Sequence, residues 1–350
     1  MARIVLADDG IEFDGRTPDE RPLGGVESSL CFLVEELAKR GHDVSVHNHC
    51  AGPLDHKGVA WRPLAEGLPE TCDLYIANRG DKLILALPGA RRTVFWTHNP
   101  AQYVRKWRYL WKLWRLKPAI LFIGSYAETT LPGYVPHGGK VVIPYGIPDM
   151  FRGYPPLEQT PAPRAVFTSN PLRSLDWLLD IWENQVHPKV PEAEFHIFSG
   201  AATYGSVGDA KAQAMAGILM RAEKLQDKGV ILRGPKPKGE LIQELRQARC
   251  MLYRSDLNET FCLALGEAQA LGVPCVTQPL GSAVERVRHG ETGFVEADGA
   301  AFGARAVALL SDETLWRRQH EAALATQGLW GWEQAAAAFE ALIPLSDGGD

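Results

Sequence analysis

The 350-residue sequence has no apolar run approaching the ~20 residues of a bilayer-spanning helix, so it reads as soluble or peripherally attached. It has no CxxC pair and no Cys/His ligand spacing. Its six cysteines, Cys31, Cys50, Cys72, Cys250, Cys262 and Cys275, are scattered, and Cys262 and Cys275 fall inside apolar patterns where a reduced thiol packs as a small hydrophobe. A reducing cytoplasm without structural zinc is the expectation. Positive charge is not in excess either: 37 Lys and Arg stand against 42 Asp and Glu, a net charge of −5, which excludes global attraction to nucleic acid. The start, Met1-Ala2-Arg3-Ile4-Val5-Leu6-Ala7, passes at once into a strand pattern and leaves no room for a signal peptide's apolar region. There is no GxGxxG, and His47-Asn48-His49-Cys50 stands where a ribose-binding acid would follow the second strand, which disfavours a nicotinamide-dependent dehydrogenase. His42, His47, His49 and His56 form no i, i+4 ligand pair with an acid, so no metal is expected.

What is present is a repeated alternation of short apolar runs with helical patterns, the signature of parallel strands joined by crossover helices. Strands are expected near 3–7, 43–47, 73–77, 93–96, 119–123 and 140–143, then near 164–168, 194–199, 229–233, 250–253, 273–277 and 293–295. The clearest helix runs from Gly25 to Arg40, with Val26, Leu30, Leu33, Val34 and Leu37 at 3.6-type spacing and Gly41 as its stop. Pro155, Pro156, Pro161 and Pro163 stiffen an expected linker over 153–164. The domains are thus placed at 1–155 and 164–328. A last helical pattern, Trp332–Leu342, follows within 329–345, and the tail Ser346-Asp347-Gly348-Gly349-Asp350 is expected to be mobile.

Several stretches have the residue types of a binding site. Glu259 and Glu267 lie eight apart among apolar and small neighbours, Asn258-Glu259-Thr260-Phe261-Cys262-Leu263-Ala264-Leu265-Gly266-Glu267. Glu259 is placed in the loop leaving strand 251–253, and Glu267 on the second turn of a helix that begins near Thr260 and stops at Gly272. Gly24 and Gly25 open the first long helix, where backbone N–H groups can meet an anion; ordinary turns also use such a pair. His98 falls just past a strand end, in Trp96-Thr97-His98-Asn99-Pro100. Ser169-Asn170-Pro171-Leu172-Arg173 starts another helix, with Arg173 able to grip a phosphate through two nitrogens, and Arg233-Gly234-Pro235-Lys236-Pro237-Lys238-Gly239 reads more readily as a solvated turn. The stretch Tyr103 to Lys117, drawn as one helix, sets Trp107, Leu110, Trp111 and Trp114 on one face with Arg105, Arg108, Lys112 and Arg115 turned away. That composition suits an anionic membrane surface, a packed helix with a basic rim, or a channel for an anionic acceptor.

Taken together, Gly24-Gly25-Val26-Glu27, Leu175-Asp176-Trp177-Leu178-Leu179, Glu259-x7-Glu267 with Ala270-Leu271-Gly272-Val273-Pro274, Leu280-Gly281-Ser282-Ala283-Val284-Glu285 and His289-Gly290-Glu291-Thr292-Gly293-Phe294-Val295 resemble glycosyltransferase family four, the group 1 glycosyltransferases. The resemblance spans nearly the whole chain and is most specific from about Val230 to Val295. It implies an α/β GT-B fold, two doubly wound Rossmann-like domains facing a central cleft, and a retaining, metal-independent hexosyl- or related glycosyltransferase. No cofactor is implied beyond a nucleoside-diphosphate sugar as co-substrate. Glu267 would accept hydrogen bonds from the ribose and Glu259 from the donor sugar. Amides of Thr260, Phe261, Cys262 and Leu263, with those of Gly24 and Gly25, would meet the diphosphate beside Asn170 and Arg173, and His98 would contact the transferred sugar. The last helix would cross back to the first domain.

Two positions depart from that pattern. Members usually carry an Arg and a Lys five or six residues apart at the diphosphate; here Arg173 takes the Lys position and Phe167-Thr168 stand where the Arg would be. Tyr145 precedes Gly146 where asparagine is common. The expected partners are therefore a nucleotide sugar, a glycan or glycolipid acceptor and, through Tyr103 to Lys117, the anionic inner face of a membrane, in polysaccharide biosynthesis. A nucleotide-sugar epimerase of the same fold and a non-catalytic nucleotide-sugar-binding partner protein are the alternatives.

Overall fold

The computed structural model describes residues 1–21, 23–200 and 212–345; the expectation for the tail 346–350 lies outside them. Contacts divide the chain into two units, Met1–Gly146 together with the chain from Gly331 onward, and Ile147–Trp330. Among the described residues no helix is long and apolar enough to cross a membrane.

The first unit is built on strands β1 (Arg3–Asp8), β2 (Asp43–Asn48), β3 (Leu54–His56), β4 (Val59–Pro63), β5 (Thr71–Asn78), β6 (Gly89–Trp96), β7 (Ala119–Phe122) and β8 (Lys140–Val142). Their order is β3-β4-β2-β1-β5-β6-β7-β8, with every neighbouring pair parallel except β3 and β4. Central β1 is covered on both faces, which is why Ile4-Val5-Leu6-Ala7 is continuously apolar instead of alternating. The β3–β4 hairpin was not expected from the sequence. It turns on Lys57 and Gly58, both at positive φ as a two-residue primed turn requires, but without the Asn-Gly or Asp-Gly pair that announces such turns.

Helix Gly25–Lys39 buries Leu30, Leu33, Val34 and Leu37 of the stripe its periodicity predicts, while Val26 in its first turn is half-buried. Against it packs helix Trp332–Glu340: Trp332 meets Phe32 at 6.2 Å and Phe339 meets Trp96 at 5.2 Å between ring centroids. Glu340 pairs with Arg40 and accepts from His42 Nε2 at 2.6 Å. The stretch drawn as one helix over 103–117 is two pieces, a 3-10 turn Ala101–Arg105 and helix Trp107–Leu116, separated by an extended Lys106. Its packed side is Tyr109 and Leu113; the Trp107, Trp111 and Trp114 side is turned out.

The second unit holds β9 (Arg164–Phe167), β10 (Glu194–Ile197), β11 (Val230–Leu232), β12 (Cys250–Tyr253), β13 (Cys275–Thr277) and β14 (Gly293–Val295), in the order β11-β10-β9-β12-β13-β14 and all parallel. Phe167, Phe195, Met251, Leu252, Leu265, Val276 and Phe302 lie in its core. Residues 147–155, placed in the first domain by sequence, belong here because Ile147 and Phe151 are buried in this same core. The proline-rich stretch is not free: Leu157 N–H donates to His320 Nε2 at 2.9 Å, and Arg152 Nε donates to the Gly328 carbonyl at 2.8 Å. The helix expected from Pro171 begins only at Leu175, because Ser174 before it is left-handed at φ 61°; it then widens into a π turn, Trp182–Val186.

All six cysteines are buried and unpaired, and burial pushes the Cys72 and Cys250 thiols up to about 12. Thiolates are the reactive species. An Ellman-type titration at pH 8 is expected to label none of the six in the native protein on the time scale of minutes and all six after guanidinium unfolding.

Candidate functional site

In each unit the strand order reverses direction at one point, between β1 and β5 in the first and between β9 and β12 in the second. Helices leave opposite faces there, so the strand C-termini open a crevice, the usual ligand position in open α/β sheets. Side chains at both points are pinned into ion and hydrogen-bond clusters. Of the six non-glycine residues with positive φ among those described, four stand beside these clusters: Arg79, Ser174, Ser255 and Cys262. Left-handed backbone at such residues costs on the order of 1 kcal/mol or more and persists where surrounding contacts over-determine it.

In the second unit Glu259 is the centre. Its Oε2 accepts from the Tyr253 hydroxyl at 2.6 Å and lies 3.1 Å from Arg173 Nη1; its Oε1 accepts from the Cys262 amide at 3.1 Å. Arg173 Nη1 also donates to Asp256 Oδ2 at 2.8 Å. Nη1 thus carries both carboxylates, while Nη2 and Nε take no partner among the described residues. Two carboxylates against a guanidinium that burial alone would destabilise hold Arg173 firmly protonated, its pKa above the ordinary arginine value. Asn170 shapes the turn that delivers Arg173: its carbonyl accepts from Arg173 N–H at 2.8 Å, and its side chain from Leu172 N–H at 2.9 Å.

The loop backbone is locked as well. Glu259 N–H donates to Asp256 O at 3.1 Å, and Glu259 O accepts from Ser282 N–H at 2.9 Å. Gly281 has φ +58°, and a Cβ there would meet the carbonyls of Asp256 and Glu259 at 2.5 Å, so a side chain at 281 would force the loop open. Helix Leu263–Ala270 follows, with left-handed Cys262 as its N-cap in place of the expected region of Thr260. Phe261 lies under the Arg286 guanidinium, 4.4 Å from the ring centre. Glu267, on the second turn, is 7 % exposed and pairs through Oε1 with Lys238; its Oε2 takes no hydrogen bond from the described residues. Lys238 comes from the basic loop that read as a solvated turn, and its pairing needed the tertiary fold to be seen. So did Tyr253 and Asp256, whose types carry no signal at those positions. Arg233 donates to His196 Nδ1 at 3.3 Å instead of facing this loop.

In the first unit His98 is 4 % exposed, with Nε2 against Asn78 Oδ1 and Nδ1 against the Tyr145 hydroxyl. Asn78 Nδ2 donates to Asp8 Oδ1 at 2.7 Å, which leaves the amide oxygen to accept, so Nε2 of His98 carries the proton and Tyr145 donates to Nδ1. Both ring nitrogens are engaged within the unit. Arg79 Nε donates to Asp8 at 3.0 Å and its Nη2 to Glu27 at 2.9 Å. Glu27, in the first turn of helix Gly25–Lys39, folds over the Gly24-Gly25 turn: a Cβ at Gly24 would stand 2.4 Å from its Oε2. Gly24 therefore makes room for a carboxylate of the protein itself. Among the described residues no group of three or more His, Cys, Asp or Glu could hold a metal ion.

The two-sheet architecture covers whole solved chains. Sucrose-phosphate synthase from Thermosynechococcus elongatus matches with a TM-score of 0.75 at 17% identity over 98% of both chains. HepE from Anabaena, in complex with UDP and glucose, matches at 0.71 and 14% identity over 97% of this chain and 99% of that one. Trehalose-6-phosphate from E. coli, bound with UDP-2-fluoro glucose, matches at 0.72 and 12% identity over 98% of this chain and 99% of that one. The fold is GT-B, that of these glycosyltransferases. Within that class, residues 162–312, most of the second unit, match the model of Glycosyl transferases group 1. N-acetyl-alpha-D-glucosaminyl L-malate synthase from Bacillus anthracis is 40% identical over 81 residues, which are 23% of this chain and 21% of that relative.

Burial, and secondarily the charge of Arg79, hold His98 well below the ordinary histidine range. The unfolded chain then binds a proton that the folded one refuses once the pH drops below about 6.5, so His98 favours the fold above that pH and loses its contribution below it. From pH 7.5 to 5.5, urea-unfolding stability of the wild type is expected to fall, with His98 supplying up to about 1.4 kcal/mol per pH unit; the His98→Gln protein should show a shallower decline. Parallel slopes would contradict this assignment.

Proposed function

We propose that the protein moves a glycosyl group from a nucleoside-diphosphate sugar to a hydroxyl of a glycan or glycolipid acceptor, with retention at the anomeric carbon and without a metal ion. The observation that carries this reading is the Arg173–Glu259 pair at the switch point of the family-matched unit. Glu259 and Asp256 fix one edge of the guanidinium through Nη1, and the edge bearing Nη2 and Nε has no protein partner among the described residues. An anchored, permanently charged donor of this kind suits an oxyanion whose charge grows during reaction, because it needs no reorganisation at that moment. The N-terminus of helix Leu263–Ala270, reached through Thr260, Phe261 and Cys262, adds backbone donors of the same sign. The relatives seen with UDP support a uridine donor.

The roles then divide. As the bond from the anomeric carbon to the phosphate oxygen breaks, its electron pair passes to the diphosphate, whose charge Arg173 and the helix amides meet. The acceptor oxygen forms the new bond on the same face, and its proton passes to the leaving phosphate oxygen. Glu267 takes ribose hydroxyls on its unoccupied Oε2, and Glu259 takes hydroxyls of the sugar; carboxylates serve vicinal diols because they only accept and can accept two donors at once. Calorimetry with UDP and UDP-glucose tests the division. Arg173→Ala is expected to weaken binding by about 3 kcal/mol and Glu267→Ala by roughly 1.5–3 kcal/mol, whereas Glu259→Ala should lower turnover more than nucleotide affinity. Unchanged affinity in both of the first two variants would overturn it.

The exposed aromatic side of helix Trp107–Leu116 supports a place at the inner face of an anionic membrane. Trp107 and Trp114 are 76 % and 68 % exposed and, with Trp111, Tyr134 and Pro136, line an apolar groove of about 610 Å³. Basic residues stand at 105, 106, 108, 115 and 117 in the same stretch. Tryptophans at the headgroup boundary with cations reaching anionic lipid have complementary chemistry. In flotation with phosphatidylglycerol-containing vesicles the wild type should rise with the lipid and a Trp107→Ala, Trp114→Ala protein should not; a wild type that stays at the bottom would remove this placement.

A further inference from the structure

Beside the Glu259 cluster the second unit holds another arginine, and the fold gives it no hydrogen-bond partner. The Arg286 side chain is 14 % exposed, and its guanidinium sits 4.4 Å from the centre of the Phe261 ring. Its Nε is sealed inside and unpaired. Nη1 and Nη2 take no hydrogen bond from the described residues either, yet neither is fully buried, so the tip of the guanidinium is open to solvent. The contact with Glu285 spans 3.8 Å between Nη2 and Oε2, beyond hydrogen-bonding distance. Resting on the transferase reading above, we propose that Arg286 is a second binding residue for the diphosphate of the nucleotide sugar, meeting phosphate oxygens through Nη1 and Nη2.

A largely buried charge without hydrogen bonds opposes folding, and the face of Phe261 offsets only part of that cost. The contrast with Arg173 is direct. Two carboxylates hold Arg173 above the ordinary arginine value, whereas burial draws Arg286 below it and the charge of Glu285 does not restore it. Both remain cationic, as guanidinium does throughout the physiological range. Arg173 already carries Asp256 and Glu259, so its charge toward an incoming diphosphate is partly neutralised. Phe167 and Thr168 at the exit of β9 have no charge to add. Arg286 is the cation that no hydrogen-bonded carboxylate answers, and its planar fork matches two oxygens of one phosphate.

The backbone fixes where that charge stands. Ser282 N–H donates to the Glu259 carbonyl at 2.9 Å, which ties the loop before helix Ala283–Arg286 to the Glu259 loop. The Arg286 carbonyl accepts from Gln327 Nε2 at 2.7 Å, and Ala283 and Val287 are buried to either side. Arg173 touches Glu259 and Arg286 touches Phe261, two residues on, and two residues span at most about 7 Å of chain. Both cations therefore stand against the segment that leads through Thr260 and Cys262 into helix Leu263–Ala270, whose amides have the same sign.

The Arg286→Met protein tests this, because methionine keeps much of the packing on Phe261 and removes the charge. By calorimetry it is expected to bind UDP tenfold or more weakly than the wild type, while uridine, followed by saturation-transfer NMR, loses less than twofold. Its melting temperature without ligand should equal or exceed that of the wild type, since an unpaired buried charge is gone. UDP affinity kept within threefold, or an equal loss for uridine and UDP, would make Arg286 a packing residue and overturn the proposal. If UDP binding then still depends on Arg173 and Glu267, the transferase reading stands without it. If the wild type binds no UDP, that reading falls and inorganic pyrophosphate tests the site alone: binding that Arg286→Met abolishes would support an anion site, and binding that is unchanged or absent would overturn it.

Discussion

One carboxylate holds the family-matched unit in working shape. Glu259 ties the end of β12 through the Tyr253 hydroxyl, the start of helix Leu263–Ala270 through the Cys262 amide, and the turn after β9 through Arg173. It thereby joins the two strands at which the sheet order reverses. Left-handed Ser255 and Cys262 flank it on either side, and their strain is sustained by these bonds and by the backbone link from Ser282.

The first unit solves the matching problem with its own buried charges. Asp8 is completely buried and Glu27 nearly so, which is tenable because Arg79 bridges them and Asn78 shares Asp8. That cluster orients Asn78, which orients His98, whose other nitrogen meets Tyr145. The tyrosine found where asparagine is common is therefore part of a continuous chain from β1 to the end of the first unit's sheet. Both clusters follow one rule: charge is buried at strand exits only when hydrogen-bonded on several sides. The result is side chains held in fixed geometry at the place where the fold leaves a crevice in each unit.

Much of this was legible along the chain. The parallel strands announce themselves as short runs such as Ile4-Val5-Leu6-Ala7, because a strand covered on both faces is apolar throughout. Helix Gly25–Lys39 follows from its 3.6 periodicity, and Gly272 marks the end of helix Leu263–Ala270 because only glycine takes φ +79° without strain. Pairings between distant segments were not legible. Lys238 with Glu267, Asp256 with Arg173 and Tyr253 with Glu259 join residues whose types recur throughout the sequence. The hairpin over 54–63 escaped because Lys57-Gly58 lacks the usual turn pair, and the boundary near 155 was misplaced because prolines signal stiffness and say nothing of what they pack on.

The sequence by itself determined the class of fold and the positions of the carboxylates and arginine that cluster at the second switch point, since periodicity, turn residues and motif spacing are local properties. Tertiary structure alone decided which atoms of those residues remain available. Arg173 is held through one nitrogen with two left over, Glu267 keeps one oxygen beside Lys238, and both nitrogens of His98 are engaged. It also decided which face of the Trp107–Leu116 helix is packed, putting Tyr109 and Leu113 inward and three tryptophans outward. Hydrophobic pattern identifies a face, but only the neighbours that fold brings against it determine whether that face is covered.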